Sequence, residues 1–492
     1  MAGVGLRLDT RVSAWTGQWV TDQLGVRLRG AGGVDGLAAP DLLGLALRRN
    51  PRRAHLLVST VLGKHVPTDP RLVRAAGLRL GGLVASHLGF AQAPGIPLEV
   101  WRAALAGDGR AAATLLSAAV PPTTPRDAAT RHEPLVIGYA ETATGLGHSV
   151  ADALGCAYLH STRRRVPGAR GYAGFEEEHS HATGHQLLPR EPAVLAALAD
   201  AQAPLVLVDD ELSTGRTVAN TVRELHARTP REHYVVAGIV DMRSPIDGAR
   251  LDALAAQLGT RIDVVSLVAG RVELPVDVLE RGNALVAAVE AVHPQPRDVP
   301  DVRELVVGWP AGVPVTGRFG TSSAHARRLA GTDLVTGSLP ALEGAREVLV
   351  LGSEELLNAP LAFAVQLADR LRIPVRFSST TRSPVLAVDA DGYAVRSSVA
   401  FTSHDPALDG PGTRYAHNVS RVQPWDVIVL VVDSASDPVT LTAPDGVLAA
   451  LAPLTRNLHL VTLPADDVPA DDVPAAAVPA ADVPADDWSD PT

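Results

Sequence analysis

The sequence predicts an α/β protein built on open parallel sheets with helices packed against them. Three observations carry that prediction. Short unbroken apolar runs, such as 205–208 and 427–432, read as strands buried on both faces. Stretches of helical length separate such runs, with Gly, Pro and small polar residues at the joins. The chain has 492 residues, 46% apolar and 20% charged, which is enough for several buried cores.

The elements follow in order. Residues 1–50 are rich in Gly, Leu and Arg without a clear period. A buried strand is expected at 56–61, then a polar turn closed by Pro67 and Pro70. Helical spacing runs through 71–119 (Leu72, Leu78, Leu80, Leu83, Leu88) up to Pro121 and Pro122. Strand–turn–helix units then repeat: a strand at 135–139, a Gly/Thr turn at 142–147 and a helix opening at 149–154. A short strand at 158–161 leads into a polar stretch, 163–190, with no apolar period. Residues 192–203 suit a helix, since Pro192 at its start forgoes an N–H that has no helical partner anyway. Strands at 204–208, 234–240 and 263–268 and a helix at 218–228 complete the first domain, 1–295. The Pro-rich stretch 293–302 reads as a joint. A second α/β domain, 300–463, is expected to carry strands at 305–308, 347–351, 375–378 and 427–432 and a buried helix at 359–371. The tail, 464–492, repeats a five-residue Pro/Ala/Asp unit that offers nothing to bury, so it is expected to be disordered and dispensable from Pro464 onward.

Composition excludes several classes of function. The formal charge is −10, but eight aspartates lie in the last 27 residues, so the rest of the chain is nearly neutral. Neither a basic stripe nor a helix-turn-helix pattern is evident, and no nucleic-acid partner is expected. No apolar run approaches the roughly 18–20 residues that cross a bilayer. The N-terminus also lacks the basic start and apolar core of a secretory signal. A cytoplasmic protein without a membrane partner is the expectation. The single cysteine, Cys156, excludes an intrachain disulfide and reads as a buried structural thiol. Lys64 is the only lysine among 44 basic residues, which makes it a functional candidate.

The informative stretch is PLVLVDDELSTGRTVANTV, 204–222. An apolar strand ends in Asp209 and Asp210, and the small-residue loop Ser213, Thr214, Gly215, Arg216, Thr217 feeds a helix. Open α/β sheets bind ligands at this end of their strands. A loop entering a helix N-terminus offers backbone N–H groups and the positive dipole end to a phosphate. Two adjacent carboxylates before it suit sugar hydroxyls or a Mg²⁺ ion. The stretch therefore reads as an acidic clamp and phosphate cradle spaced for a ribose 5-phosphate.

It resembles the phosphoribosyl-pyrophosphate (PRPP) signature of type I phosphoribosyltransferases such as orotate phosphoribosyltransferase. The resemblance implies the type I phosphoribosyltransferase fold, a parallel sheet flanked by helices with a hood. It also implies that Asp209 and Asp210 take the ribose hydroxyls and the Mg²⁺ shell, partly through PRPP, while 213–217 wrap the 5-phosphate. Ser213 stands where purine-salvage relatives place an acidic base, a departure that argues against base-assisted transfer to a purine. The family's pyrophosphate loop follows a strand and opens a helix, which points to Thr142, Ala143, Thr144, Gly145 and Gly147. A mobile hood is expected between the two loops, over 160–187, with Arg163, Arg164 and Arg165 placed to neutralise pyrophosphate. The run Glu176, Glu177, Glu178, His179, His181, His185 could imitate a metal cluster but reads as a solvated segment. Asp209, Asp210, Arg163 and Lys64 are the candidate catalytic residues.

In the second block, Thr381, Arg382, Ser383 and Pro384 follow an apolar strand as a hydroxyl-rich turn suited to an anion. The Thr-Arg-Ser-Pro sequence resembles the motif that names the TRSP domain, found C-terminal to a PRPP-signature domain in bacterial proteins encoded with tellurium-resistance and stress genes. That resemblance makes Glu354, Glu355, Thr380, Thr381, Arg382 and Ser383 candidates for a second anion site, separate from the PRPP site, together with GRFGTSS at 317–323. The combined expectation is a Mg²⁺-dependent transferase acting on PRPP and a small base-like nitrogen acceptor, with room for a homodimer. A non-catalytic sensor of PRPP or a nucleotide on the same fold is the alternative.

Overall fold

The structure, a computed structural model, describes residues 18–48, 54–121, 132–169, 171–175, 184–289, 292–298, 301–434 and 436–466. Its strands are β1 (Arg27–Gly33), β2 (Leu43–Leu47), β3 (His55–Ser59), β4 (Leu135–Gly138), β5 (Ala157–His160), β6 (Ala173–Phe175), β7 (His185–Leu187), β8 (Leu205–Leu212), β9 (His233–Asp241) and β10 (Arg261–Glu273) in the first block. The second block holds β11 (Arg303–Glu304), β12 (Val348–Gly352), β13 (Val375–Ser379), β14 (Ser398–Thr402), β15 (Thr413–His417), β16 (Trp425–Asp433) and β17 (Thr455–Leu463).

The first sheet has six strands in the order β1-β10-β9-β8-β4-β5. All neighbours are parallel except β1, which runs antiparallel to β10. The apolar runs dictate this arrangement: every residue of β4 and the first four of β8 are buried, as strands covered by helices on both faces must be. The second sheet, β11-β17-β16-β12-β13, is parallel throughout. All nine residues of β16 are buried.

Several expectations change. The segment 71–119 is three helices, Pro70–His87, Leu98–Leu105 and Gly109–Ala119. The first starts at Asp69, whose carboxylate accepts the Arg71 N–H, with Pro70 in its first turn. It crosses the helix Ala143–Leu154 closely: a Cβ on Gly77 would lie 2.4 Å from Ser149, and one on Gly81 2.5 Å from Ala153. The region without a period contains β1 and β2, and β2 pairs with β3 as a hairpin. Only Arg303–Glu304 is extended near the strand expected at 305–308. The polar stretch 163–190 contains the hairpin β6–β7, in which Ala173, Phe175, His185 and Leu187 are buried. Residues 176–183, including Glu176, Glu177, Glu178, His179 and His181, lie outside the described residues.

The two blocks share a core. Val385, Leu386, Tyr393, Ala394 and Val395, from the loop after β13, pack into the hydrophobic cluster of the first sheet. The Leu47 N–H donates to the Tyr393 hydroxyl at 2.7 Å, and that hydroxyl donates to the Leu386 carbonyl at 2.7 Å. The start of the tail is docked as well. The Asp466 carboxylate accepts the N–H groups of Val315 at 2.6 Å and Thr316 at 3.0 Å, so the expected free tail from Pro464 does not hold for 464–466. Residues 467–492 lie outside the described residues. Among the described residues, no helix is long and apolar enough to cross a membrane.

Candidate active site

Neighbouring parallel strands β4 and β8 deliver two loops to the same sheet edge, where each opens a helix: Ala143–Leu154 after β4 and Arg216–Arg228 after β8. Between them lies a cavity of about 270 Å³. It is lined by the acid-rich end of β8, which runs through Asp209 and Asp210 to Leu212, four residues beyond the apolar run, because Asp209, Glu211 and Leu212 still pair with β9. Ser213, Thr214, Gly215, Arg216 and Thr217 all line it. Gly215 sits at φ +79°, a left-handed conformation that costs any other residue, and it is the N-cap of the helix beginning at Arg216. The loop thus aims a helix N-terminus into the cavity beside two carboxylates.

Lys64 lines the same cavity, and its Nζ donates to the Thr142 hydroxyl at 2.5 Å. Arg163 reaches the cavity too, and its Nε donates to His185 Nε2 at 3.2 Å. The sequence-predicted pyrophosphate loop is shorter than expected. Thr142 lines the cavity, but Ala143, Thr144, Gly145 and Gly147 belong to the helix Ala143–Leu154 and are buried. The two glycines serve packing. A Cβ on Gly147 would meet Tyr158 at 2.6 Å, and one on Gly145 would meet Leu357 at 3.0 Å.

The Thr-Arg-Ser-Pro turn opens onto this same cavity. Thr381, Arg382, Ser383 and Pro384 line it beside Arg48, His65 and Glu141, so the expected separate second-domain site does not exist as such. Two of its expected members cannot take an anion because they are themselves carboxylates committed to cations. Glu354 holds Arg382 Nε at 2.7 Å and Arg414 Nε at 2.7 Å. Glu355 holds Arg318 at 3.3 Å and accepts the Thr162 hydroxyl at 2.7 Å. Burial pushes the Glu355 carboxyl up, but the Arg318 guanidinium, His160 and those hydrogen bonds outweigh it and hold its pKa at about 2. Thr380 is fully buried and its hydroxyl accepts the Glu354 N–H. Of GRFGTSS, Arg318 joins this buried network, and the carbonyls of Gly317 and Thr321 accept from β5.

Arg164 points away from the cavity, into a buried cluster with Asp405, Asp409 (2.9 Å) and Asp433 (3.1 Å). The exposed Arg165 bonds Leu408 through its backbone. His185 is buried, stacked on Phe175 with its Nδ1 at 2.8 Å from the Ser161 hydroxyl, so it joins no metal cluster among the described residues. Cys156 is a buried thiol in no disulfide, and its Sγ donates to the Ala151 carbonyl at 3.9 Å.

Sequence reasoning missed Glu141. It faces the cavity from the loop after β4, and burial raises its carboxyl above the usual range, against the pull of Lys64 and with the push of Glu354. Glu141 carries no spacing signature, and only the fold brings Lys64, Arg163 and Arg382 around it. His65 and His417 lie with ring centroids 5.4 Å apart, and burial keeps both below the usual histidine range, His417 at about 4. These imidazoles are neutral near pH 7, so the positive charge lining the cavity comes from Lys64 together with Arg48, Arg163, Arg216 and Arg382.

For a magnesium ion, Asp209 and Asp210 present the oxygen donors a hard cation needs. They do not form a cage of three converging ligands. Among the described residues, the cluster of that kind is His87, His233 and Asp263, which lies outside the cavity and has Arg261 Nε 2.7 Å from the same Asp263 oxygen. The donor set fits an ion held jointly with a phosphorylated ligand.

Residues 42–271 match the PRTase_2 family, described as phosphoribosyl transferase, and residues 315–451 match the TRSP domain C-terminal to it. Similar solved structures include three adenine phosphoribosyltransferases. The Trypanosoma brucei protein is 18% identical over 28% of this chain and 56% of its own, with a TM-score of 0.21. The Giardia lamblia protein is 13% identical over 46% and 96%, with a TM-score of 0.27. The Rhodothermus marinus protein is 15% identical over 30% and 73%, with a TM-score of 0.19. This chain thus spans little more than half of the T. brucei protein, 56%. No curated protein matches it.

Proposed function

Because the chain joins a phosphoribosyl transferase domain to a TRSP domain, we propose that it transfers ribose 5-phosphate from PRPP to a small base-like nitrogen acceptor, in a Mg²⁺-dependent reaction that releases pyrophosphate and leads to a specialised nucleoside. One observation carries the reading: the Asp209–Asp210 pair, the 213–217 loop, Lys64, Thr142 and Arg163 all line a single cavity. The 5-phosphate would rest on the loop and helix start, with Gly215 allowing close approach. The two aspartates would take the ribose hydroxyls and hold the metal together with PRPP. Bound there, Mg²⁺ would neutralise part of the diphosphate charge. Lys64, Arg163 and the Thr142 hydroxyl would face the departing pyrophosphate.

The C1–O bond to pyrophosphate breaks as the acceptor nitrogen bonds to C1, so positive charge grows on the ribose and negative charge on the leaving group. Both would develop beside fixed opposite charges, and positioning with electrostatic stabilisation would supply most of the rate. Ser213 supplies no carboxylate, which argues for an acceptor that needs no strong base from this loop. Incubating the full chain with Mg-PRPP and fractionated metabolites tests the reading. Acceptor-dependent pyrophosphate release supports it. Tight PRPP binding with no release in any fraction would favour the sensor instead.

A further inference from the structure

We infer that Glu355, in the second domain, is a positioning residue for the pyrophosphate half of the PRPP site. The inference rests on the phosphoribosyl reading of the cavity.

Glu355 grips both elements that frame that half. Its Oε2 accepts the Thr162 hydroxyl at 2.7 Å and its Oε1 accepts the Arg163 backbone N–H at 2.9 Å. Its own carbonyl accepts the Thr144 hydroxyl at 3.0 Å, and that hydroxyl also donates to the Glu141 carbonyl at 3.1 Å. Two residues on, Leu357 seats against Gly145. One short second-domain segment therefore fixes the start of the helix Ala143–Leu154 and the backbone from which the Arg163 side chain enters the cavity.

The carboxylate does not touch the cavity. It is 5% exposed, and its charge is met by Arg318. Its chemistry suits holding donors in place: a carboxylate accepts at both oxygens, whereas an amide must turn its NH₂ toward a donor. In Glu355→Gln that NH₂ would face either the Arg163 N–H or the Arg318 guanidinium, neither of which can accept, and one side of the clamp would open. The phosphate loop 213–217 lines the cavity and Glu355 does not, so the effect should divide the site in two.

The test is calorimetry on the full chain with three probes: Mg-PRPP, Mg-pyrophosphate and ribose 5-phosphate. Glu355→Gln should weaken Mg-PRPP and Mg-pyrophosphate by roughly tenfold to a hundredfold, the loss of one charge-assisted contact. Ribose 5-phosphate affinity should stay within about twofold, a selectivity that a loosened fold would not produce. Thr162→Val removes one donor without stranding a charge, should show the same selectivity more weakly, and decides the matter if Glu355→Gln is not recovered folded. Equal losses for all three probes, or none, would overturn the inference alone. A wild-type chain that binds none of the probes would overturn the phosphoribosyl reading with it.

Discussion

Replacing Arg164 by Met removes the cation at the centre of a buried cluster that joins the two domains. Its guanidinium serves Asp405, Asp409 at 2.9 Å and Asp433 at 3.1 Å, with all four side chains less than a tenth exposed. Asp409 keeps a second partner, Arg382 at 3.0 Å, so Asp405 and Asp433 lose most. Breaking a buried ion pair from one side typically costs about 3–5 kcal/mol, because it leaves a desolvated charge unpaired. Two such charges put the variant at the top of that range near pH 8. The cost should shrink with acidity. Burial already raises Asp405, and it pushes Asp409 up to about 7 against the pull of Arg164. A carboxyl whose folded pKa lies above its unfolded value, near 4, binds its proton more tightly in the fold. Stability then falls as pH rises between those two values and is regained as pH falls. The variant should recover much of its deficit between about pH 8 and pH 5, more than the wild type gains over the same window. Urea titrations of both proteins at the two pH values measure this. A deficit under about 1 kcal/mol at pH 8, or one independent of pH, would refute the reasoning.

Lys64→Met should weaken Mg-PRPP binding at least tenfold by calorimetry, since it removes the ammonium that lines the cavity beside Thr142; Lys64→Arg should not restore it, because a planar guanidinium does not replace a compact ammonium. Unchanged affinity would remove Lys64 from the site. Truncation after Leu463 deletes Asp466 and strands the N–H groups of Val315 and Thr316, so unfolding should become easier by about 1.5–3 kcal/mol. Truncation after Asp466 should leave the melting temperature unchanged.

The phosphate cradle was legible because its signals are local: an apolar strand, two acids and a glycine where φ must be positive, all within 205–217. The turn at 142–147 was misjudged because glycine has two uses. Gly145 and Gly147 spare space for Leu357 and Tyr158 rather than freeing a loop, and a sequence shows the glycine without its neighbour. The strand β1 was hidden by its three glycines, and its pairing with β10 depends on partners more than two hundred residues away. Sequence distance also concealed the second domain's part. Glu355 and Arg163 are 192 residues apart, and the Thr-Arg-Ser-Pro turn meets the cradle only through packing of the loop after β13 into the first core. The motif suggested an anion site, and the fold placed that turn in the cavity already identified.

The central claim is that Asp209, Asp210 and the loop after them form a PRPP site. Calorimetric titration of Mg-PRPP into the full chain and into the Asp209→Asn, Asp210→Asn double variant tests it most directly, with circular dichroism confirming that the fold is kept. Both carboxylates face the cavity at the end of β8, and the substitutions preserve their shape while removing the charge. Saturable binding to the wild type that is lost in the folded double variant is the predicted result; equal affinity in the two proteins would contradict it.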